Sequence, residues 1–162
     1  MFAVLLAVSL LAALIVWVLP GLQRPQAPAV EFDLLDGSRT SLSALRGRPV
    51  LLVFWSTTCP PCLEEIPDLV RLHDSLSPRG LMLIAVAMPY DPPVVVRDFA
   101  RDRHLPYAIA VDVPGRAAKA LGVASIPSAI LIDRDGRIAW QQYGRLDEVR
   151  VRRLIESMLD PG

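Results

Sequence analysis

A three-layer α/β fold, a mixed β-sheet with helices on both faces, is the class this sequence predicts, and three observations lead to it. Continuous apolar runs at residues 50–55 (VLLVFW) and 81–87 (LMLIAVA) have the character of strands buried on both faces. Segments with helical periodicity follow each run, so strand and helix alternate. A turn at Asp133-Arg134-Asp135-Gly136 then joins two further strand candidates as a hairpin before a closing amphipathic helix.

Taken in order, residues 30–35 and 38–42 read as two short strands around the turn Asp36-Gly37, and Arg46-Gly47-Arg48-Pro49 punctuates the chain before the first buried strand. A helix is expected from Pro60 to about Ser77. Leu63, Ile66, Val70 and either Leu69 or Leu72 share one face, Glu64, Glu65, Asp68 and Arg71 lie mostly opposite, and Pro67 should kink it. Pro78-Arg79-Gly80 ends that helix. Residues 81–87 form the second buried strand. Residues 92–103 read as a helix with Val95, Val96 and Phe99 as its apolar side, 107–111 as a strand, and 116–121 as a short helix stopped by Gly122. Residues 128–132 and 138–143 make the hairpin, and 146–159 the last helix.

Length and composition bound the function. The 162 residues suffice for one ordinary domain. Lys+Arg and Asp+Glu are both 17, and a neutral chain lacks the field that gathers phosphate backbones, so a dedicated nucleic-acid binder is excluded. Two cysteines rule out a disulfide-stapled mini-protein and a four-cysteine zinc site. Fifteen prolines point to rigid turns rather than a helical bundle.

Residues 2–19 contain one polar side chain, Ser9, and are long enough to cross a hydrocarbon core of ~30 Å, with Trp17 placed as an interfacial residue. We therefore divide the chain into a transmembrane anchor or signal peptide (1–20), a linker rich in Pro and Gln (21–29) and one globular domain (30–162), and favour the anchor over cleavage near Ala27-Pro28-Ala29. No Lys or Arg precedes the apolar stretch and Arg24 follows it, so charge asymmetry does not set its orientation.

The chemistry is concentrated in Cys59-Pro60-Pro61-Cys62, where a buried strand turns into a helix. Thiol–disulfide exchange needs one thiolate that can attack and a second thiol near enough to resolve the mixed disulfide. The positive end of the helix favours the ionised form of the first sulfur. Cys59 is thus the exposed attacking thiol and Cys62, one turn in, the shielded resolving one. Pro60 and Pro61 suit first-turn positions, and their missing N–H groups withdraw two donors from the Cys59 sulfur, as in a reductase rather than a strong oxidant. A haem c attachment site needs His after the second cysteine, where Leu63 stands. A metal site is not expected: His73 lies about three turns beyond Cys62, ~16 Å away. His73 and His104 read as surface residues; Tyr90 and Asp91 read as a surface loop, with lining of the site as the alternative. Farther on, Ile126-Pro127 leads into a strand about 65 residues after the CxxC, a place compatible with a cis peptide bond.

Phe54-Trp55-Ser56-Thr57-Thr58-Cys59-Pro60-Pro61-Cys62 with Glu65-Ile66-Pro67 resembles the TlpA/ResA-type membrane-anchored disulfide reductases of the thioredoxin fold, whose usual wording is close to FWATWCPPC…E.P. The likeness runs from about Val30 to Leu159 and puts Pro127 at the family's cis-proline position. It implies a thioredoxin fold, a dithiol/disulfide cycle without a bound cofactor, and a periplasmic or otherwise extracytoplasmic domain held to the membrane by the N-terminal segment. It also implies disulfide-containing protein substrates, such as apocytochrome c, and a membrane thiol-electron transporter as reductant. Trp55, Thr58, Pro60, Pro61, Ile126 and Pro127 are the residues expected to meet the partner. Thr58 departs from the family's Trp, and Val53 stands where cytosolic thioredoxins bury an aspartate, leaving water, Glu65 or the substrate thiolate to take the Cys62 proton. Three alternatives keep their place: a disulfide oxidase, a thiol peroxidase (with Leu52 and Ser56 where that pattern expects Pro and Thr), and a tethered binding or chaperone module.

Overall fold

The computed structural model describes residues 24–160, so the proposed anchor at 1–20 lies outside the described residues. Its seven strands are β1 (Glu31–Asp33), β2 (Arg39–Ser41), β3 (Val50–Trp55), β4 (Met82–Ala87), β5 (Ala108–Val111), β6 (Ser128–Ile132) and β7 (Ile138–Tyr143). Its helices are α1 (Pro60–Glu64), α2 (Ile66–Leu76), α3 (Pro93–Asp102), α4 (Arg116–Ala120) and α5 (Glu148–Leu159). Five strands form one mixed sheet in the order β5-β4-β3-β6-β7, in which β3, β4 and β5 pair in parallel, β6 pairs antiparallel with β3, and β7 antiparallel with β6. This is the mixed-sheet α/β class expected from the alternation, in the thioredoxin-like form that the resemblance implied.

The apolar runs explain the centre. All six residues of β3 and all five of β6 are buried, because β3 pairs on both edges and carries helices on one face and a helix and hairpin on the other. Leu51, Val53, Trp55, Leu83 and Leu131 point toward α1, α2, α3 and α5, where Cys62, Leu69, Leu72, Leu76, Val96, Val151 and Ile155 meet them. Leu52, Phe54, Ile84, Val86 and Ile130 point to the other face, covered by Ala117, Ala118 and Leu121 around α4 and by Phe32 and Leu42 of the hairpin region. The β1–β2 hairpin turns at Asp36-Gly37, where Gly37 takes φ +87° and the Asp36 carboxylate accepts from Ser38 N–H.

Two local expectations are corrected. The helix after the CxxC is interrupted at Glu65 rather than merely bent at Pro67. Pro67 has no N–H to give the Leu63 carbonyl and its ring crowds that carbonyl, so the chain ends one helix and restarts with the proline in the first turn of the next. The restart rotates the buried stripe. Leu69, Leu72 and Leu76 become the core side, while Leu63, Ile66 and Val70 are only half-buried. Likewise Val95 is largely exposed and Val96 carries the α3 contact.

The described part of the Pro- and Gln-rich stretch, from Arg24, is pinned to the domain. Ala27 N–H donates to Gly136 C=O at 2.9 Å, Ile138 N–H to Pro25 C=O at 2.8 Å, and the Gln26 amide to Gly136 C=O at 2.8 Å.

At the start of α4, buried Asp112 accepts from Ala117 N–H at 2.9 Å and Ala118 N–H at 2.8 Å. Both are first-turn donors that lack helical partners. Asp112→Ala should lower stability by about 1–2 kcal/mol in urea unfolding, and Asp112→Asn, which keeps one acceptor, by less. Equal stability of all three proteins would contradict the capping role.

Candidate functional site

The site forms where β3 ends. Ser56, Thr57 and Thr58 leave the strand, Cys59 is the residue preceding α1, and Pro60 and Pro61 open the helix. Cys59 and Cys62 are joined, with S–S 2.07 Å and Cα–Cα 5.3 Å. The spacing needs no distortion of the backbone: one helical turn brings the two Cα atoms into the usual disulfide range. Cys59 is half-buried and Cys62 is 1% exposed, so the two sulfurs differ sharply in access. Pro60 and Pro61 are exposed and offer no N–H to either sulfur.

Antiparallel pairing of β3 with β6 sets Phe54 opposite Ser128. One step further along that register places Pro127 beside Trp55, at the end of the sheet that carries the cysteines. The Ile126–Pro127 peptide is cis, as is Val113–Pro114, which the sequence did not single out. Pro127 is buried and its carbonyl is taken by Gly144 N–H at 2.8 Å. Ile126 is half-buried, and among the described residues its own N–H and C=O form no hydrogen bond within the chain. Those two groups are available to an extended partner strand. Thr58 is exposed on the same rim, whereas Trp55, at 4% exposure, sits in the core against Phe99, ring centroids 5.4 Å apart. Trp55 therefore gives a partner almost no surface.

Two carboxylates that helical spacing or loop context puts on the solvent side, Asp91 and Glu65, are buried here. Asp91, read as part of a surface loop, is 3% exposed; its oxygens accept from Thr57 N–H at 2.7 Å and from the Ser56 hydroxyl at 3.0 Å. Tyr90 beside it does face solvent. The available signal was the polar triplet Ser56-Thr57-Thr58 after an all-apolar strand, whose buried donors need an acceptor. Glu65, placed by helical spacing on the polar side, is 1% exposed and accepts from Leu146 N–H at 2.9 Å.

Burial pushes the Glu65 carboxyl above its ordinary value of 4.5; the Leu146 N–H and the Arg145 charge oppose the rise and Asp68 adds to it. A raised acid binds its proton more tightly in the folded than in the unfolded chain. Its contribution to stability is full below the unfolded value and is lost as pH rises through the folded one. Glu65→Gln should flatten that part of the profile, which urea unfolding from about pH 4 to about pH 8 would read. A variant profile parallel to the wild type's would contradict this assignment.

His73 lies at 3.2 Å from Asp74 and edge-on to Tyr107, and among the described residues no group of His, Cys, Asp and Glu could hold a metal ion.

Comparison with known proteins gives four findings. The Redoxin family model matches residues 23–155. The thiol-disulfide oxidoreductase ResA of Halalkalibacterium halodurans is 33% identical over 137 residues, 83% of this chain and 77% of its own. ResA of Bacillus thuringiensis subsp. konkukian is 27% identical over 133 residues, 82% and 76% of the two chains. Among solved structures, a thioredoxin-family thiol:disulfide interchange protein from Chlorobium tepidum superposes with a TM-score of 0.75, covering 85% of this chain and 98% of that one at 23% identity, which supports the fold alone.

Proposed function

The chain belongs to the Redoxin family and is a thiol-disulfide oxidoreductase of the ResA/TlpA type, and from that premise we propose that it reduces disulfides of extracytoplasmic proteins through a Cys59/Cys62 cycle. The observation that carries this reading is the unequal access of two bonded sulfurs at a strand-to-helix junction. In the reduced protein the Cys59 thiolate attacks one sulfur of a partner disulfide. A mixed disulfide forms, and the partner's other sulfur leaves as a thiolate that takes a proton from solvent. Cys62 then attacks Cys59, forming the Cys59–Cys62 bond and releasing the second partner sulfur, which takes up the Cys62 proton. Two electrons pass to the partner. A membrane thiol-electron transporter returns two electrons and two protons.

The rim supports docking of an extended segment. Ile126 offers an N–H and a C=O without a partner among the described residues, and Pro60, Pro61 and Thr58 stand exposed beside Cys59. Glu65, three residues after Cys62, has its carboxyl pushed above the ordinary value by burial, which favours its proton-holding form. The apolar residues 2–19 would tether the domain to a membrane, and apocytochrome c cysteines awaiting haem are the substrate class that the family resemblance suggests.

Equilibration against glutathione tests the direction of the cycle. A reductase should hold its pair as a disulfide at ratios of reduced to oxidised glutathione that keep ordinary exposed disulfides open. A pair that stays dithiol in an oxidising glutathione buffer would instead mark an oxidase.

A further inference from the structure

The loop that presents Cys59 is held by one buried side chain. Asp91 bonds Thr57 N–H and the Ser56 hydroxyl, Ser56 Oγ receives Thr58 N–H at 3.2 Å, and Ser56 C=O receives Cys59 N–H at 3.2 Å. Ser56 Oγ also lies 3.0 Å from Thr58 Oγ1. Both Asp91 oxygens act as acceptors, so the one Ser56 proton goes to Asp91. The Ser56–Thr58 contact is then made by the Thr58 proton. The chain of donors runs inward, from Thr58 to Ser56 to Asp91.

We propose that Asp91 is a positioning residue of the redox site: it fixes the loop before Cys59 and commits the Thr58 hydroxyl proton inward, so that this hydroxyl turns its oxygen and not its proton to the rim. This rests on Cys59 being the attacking thiol. With the Thr58 proton committed inward and with no N–H on Pro60 or Pro61, the neighbours of Cys59 in the chain withhold three donors from its thiolate. The disulfide is favoured over the dithiol accordingly, which suits a reductant.

Asp91→Asn tests the polarity while keeping the loop. The amide oxygen can accept from Thr57 N–H and the amide N–H can donate to Ser56 Oγ. Ser56 then donates to Thr58 Oγ1, and the Thr58 proton is freed toward the rim. In the full-length protein we expect the Asp91→Asn equilibrium with glutathione to move about tenfold toward the dithiol, ~30 mV for a two-electron couple. Cys59 should alkylate at lower pH, with little change in urea unfolding. Adding Thr58→Val to Asp91→Asn should remove most of that shift. Asp91→Ala, which leaves Thr57 N–H and Ser56 without their acceptor, should lose turnover by roughly tenfold or more through misplacement of Cys59. A wild-type equilibrium and thiol titration in Asp91→Asn would overturn the proposal, as would a shift that persists in full in the double variant. Reductase activity surviving in Cys59→Ser would instead overturn the underlying assignment of the attacking thiol, so the two failures are distinct.

Discussion

Cys62→Ser should accumulate covalent complexes with partner proteins, and Cys59→Ser should form none. The difference follows from access. Cys62, at 1% exposure, cannot meet a partner's sulfur, whereas Cys59 is half-open at the rim. Without Cys62 the mixed disulfide at Cys59 has no resolving thiol one helical turn away, and its lifetime becomes that of exchange with solution thiols. Non-reducing electrophoresis, repeated after dithiothreitol, reads the outcome as higher-mass bands that collapse on reduction. Disulfide turnover should fall to the uncatalysed background in Cys59→Ser. Complexes captured by Cys59→Ser in place of Cys62→Ser would reverse the roles of the two sulfurs.

The second large effect concerns Trp55, whose indole fills the core beneath the site, packed with Phe99 in the cluster that also contains Cys62. Its Nε1–H is buried and has no partner among the described residues. Trp55→Ala should cost about 3–5 kcal/mol, the range for removing a large aromatic side chain from a close-packed interior. Trp55→Phe loses volume but also removes a buried unpaired donor, a group whose desolvation costs about 1–3 kcal/mol. The two changes offset, and the Phe variant should lie within about 1.5 kcal/mol of wild type. Urea unfolding of the two variants side by side measures this. A Phe variant as unstable as the Ala variant would show that the indole N–H is satisfied in solution.

The strands were legible because their burial is a property of the local run. VLLVFW and LMLIAVA contain no polar residue, and a segment apolar on both faces has only the middle of a covered sheet to occupy. The hairpin β6–β7 was equally plain, since Asp133-Arg134-Asp135-Gly136 supplies turn residues between two strand-length runs, with Gly136 at φ +79°. The cysteine pair was legible for the same local reason, four residues at one junction.

The supporting shell was not. Glu65 and Asp91 are carboxylates that helical spacing or loop context places at the surface, yet each is buried against a donor distant in sequence. Leu146 N–H is 81 positions from Glu65, and Thr57 N–H is 34 from Asp91. Periodicity reports which side of one segment is apolar; it carries no record of a backbone donor arriving from another. Pro67 shows a milder form of the same limit. A proline signals a disturbance in the helix, but whether the chain bends or restarts depends on what the next turn can bury, and the restart at Glu65 brings Leu69, Leu72 and Leu76 onto the sheet.

The central claim is that the Cys59–Cys62 bond carries the electrons delivered to a partner, and thiol counting during a single turnover tests it most directly. Reduced protein mixed with a protein disulfide, quenched with an alkylating reagent and weighed intact, should lose both cysteine thiols in step with the two thiols gained by the substrate. Substrate thiols appearing while Cys59 and Cys62 stay reduced, or a protein pair that oxidises without any being gained, would contradict it.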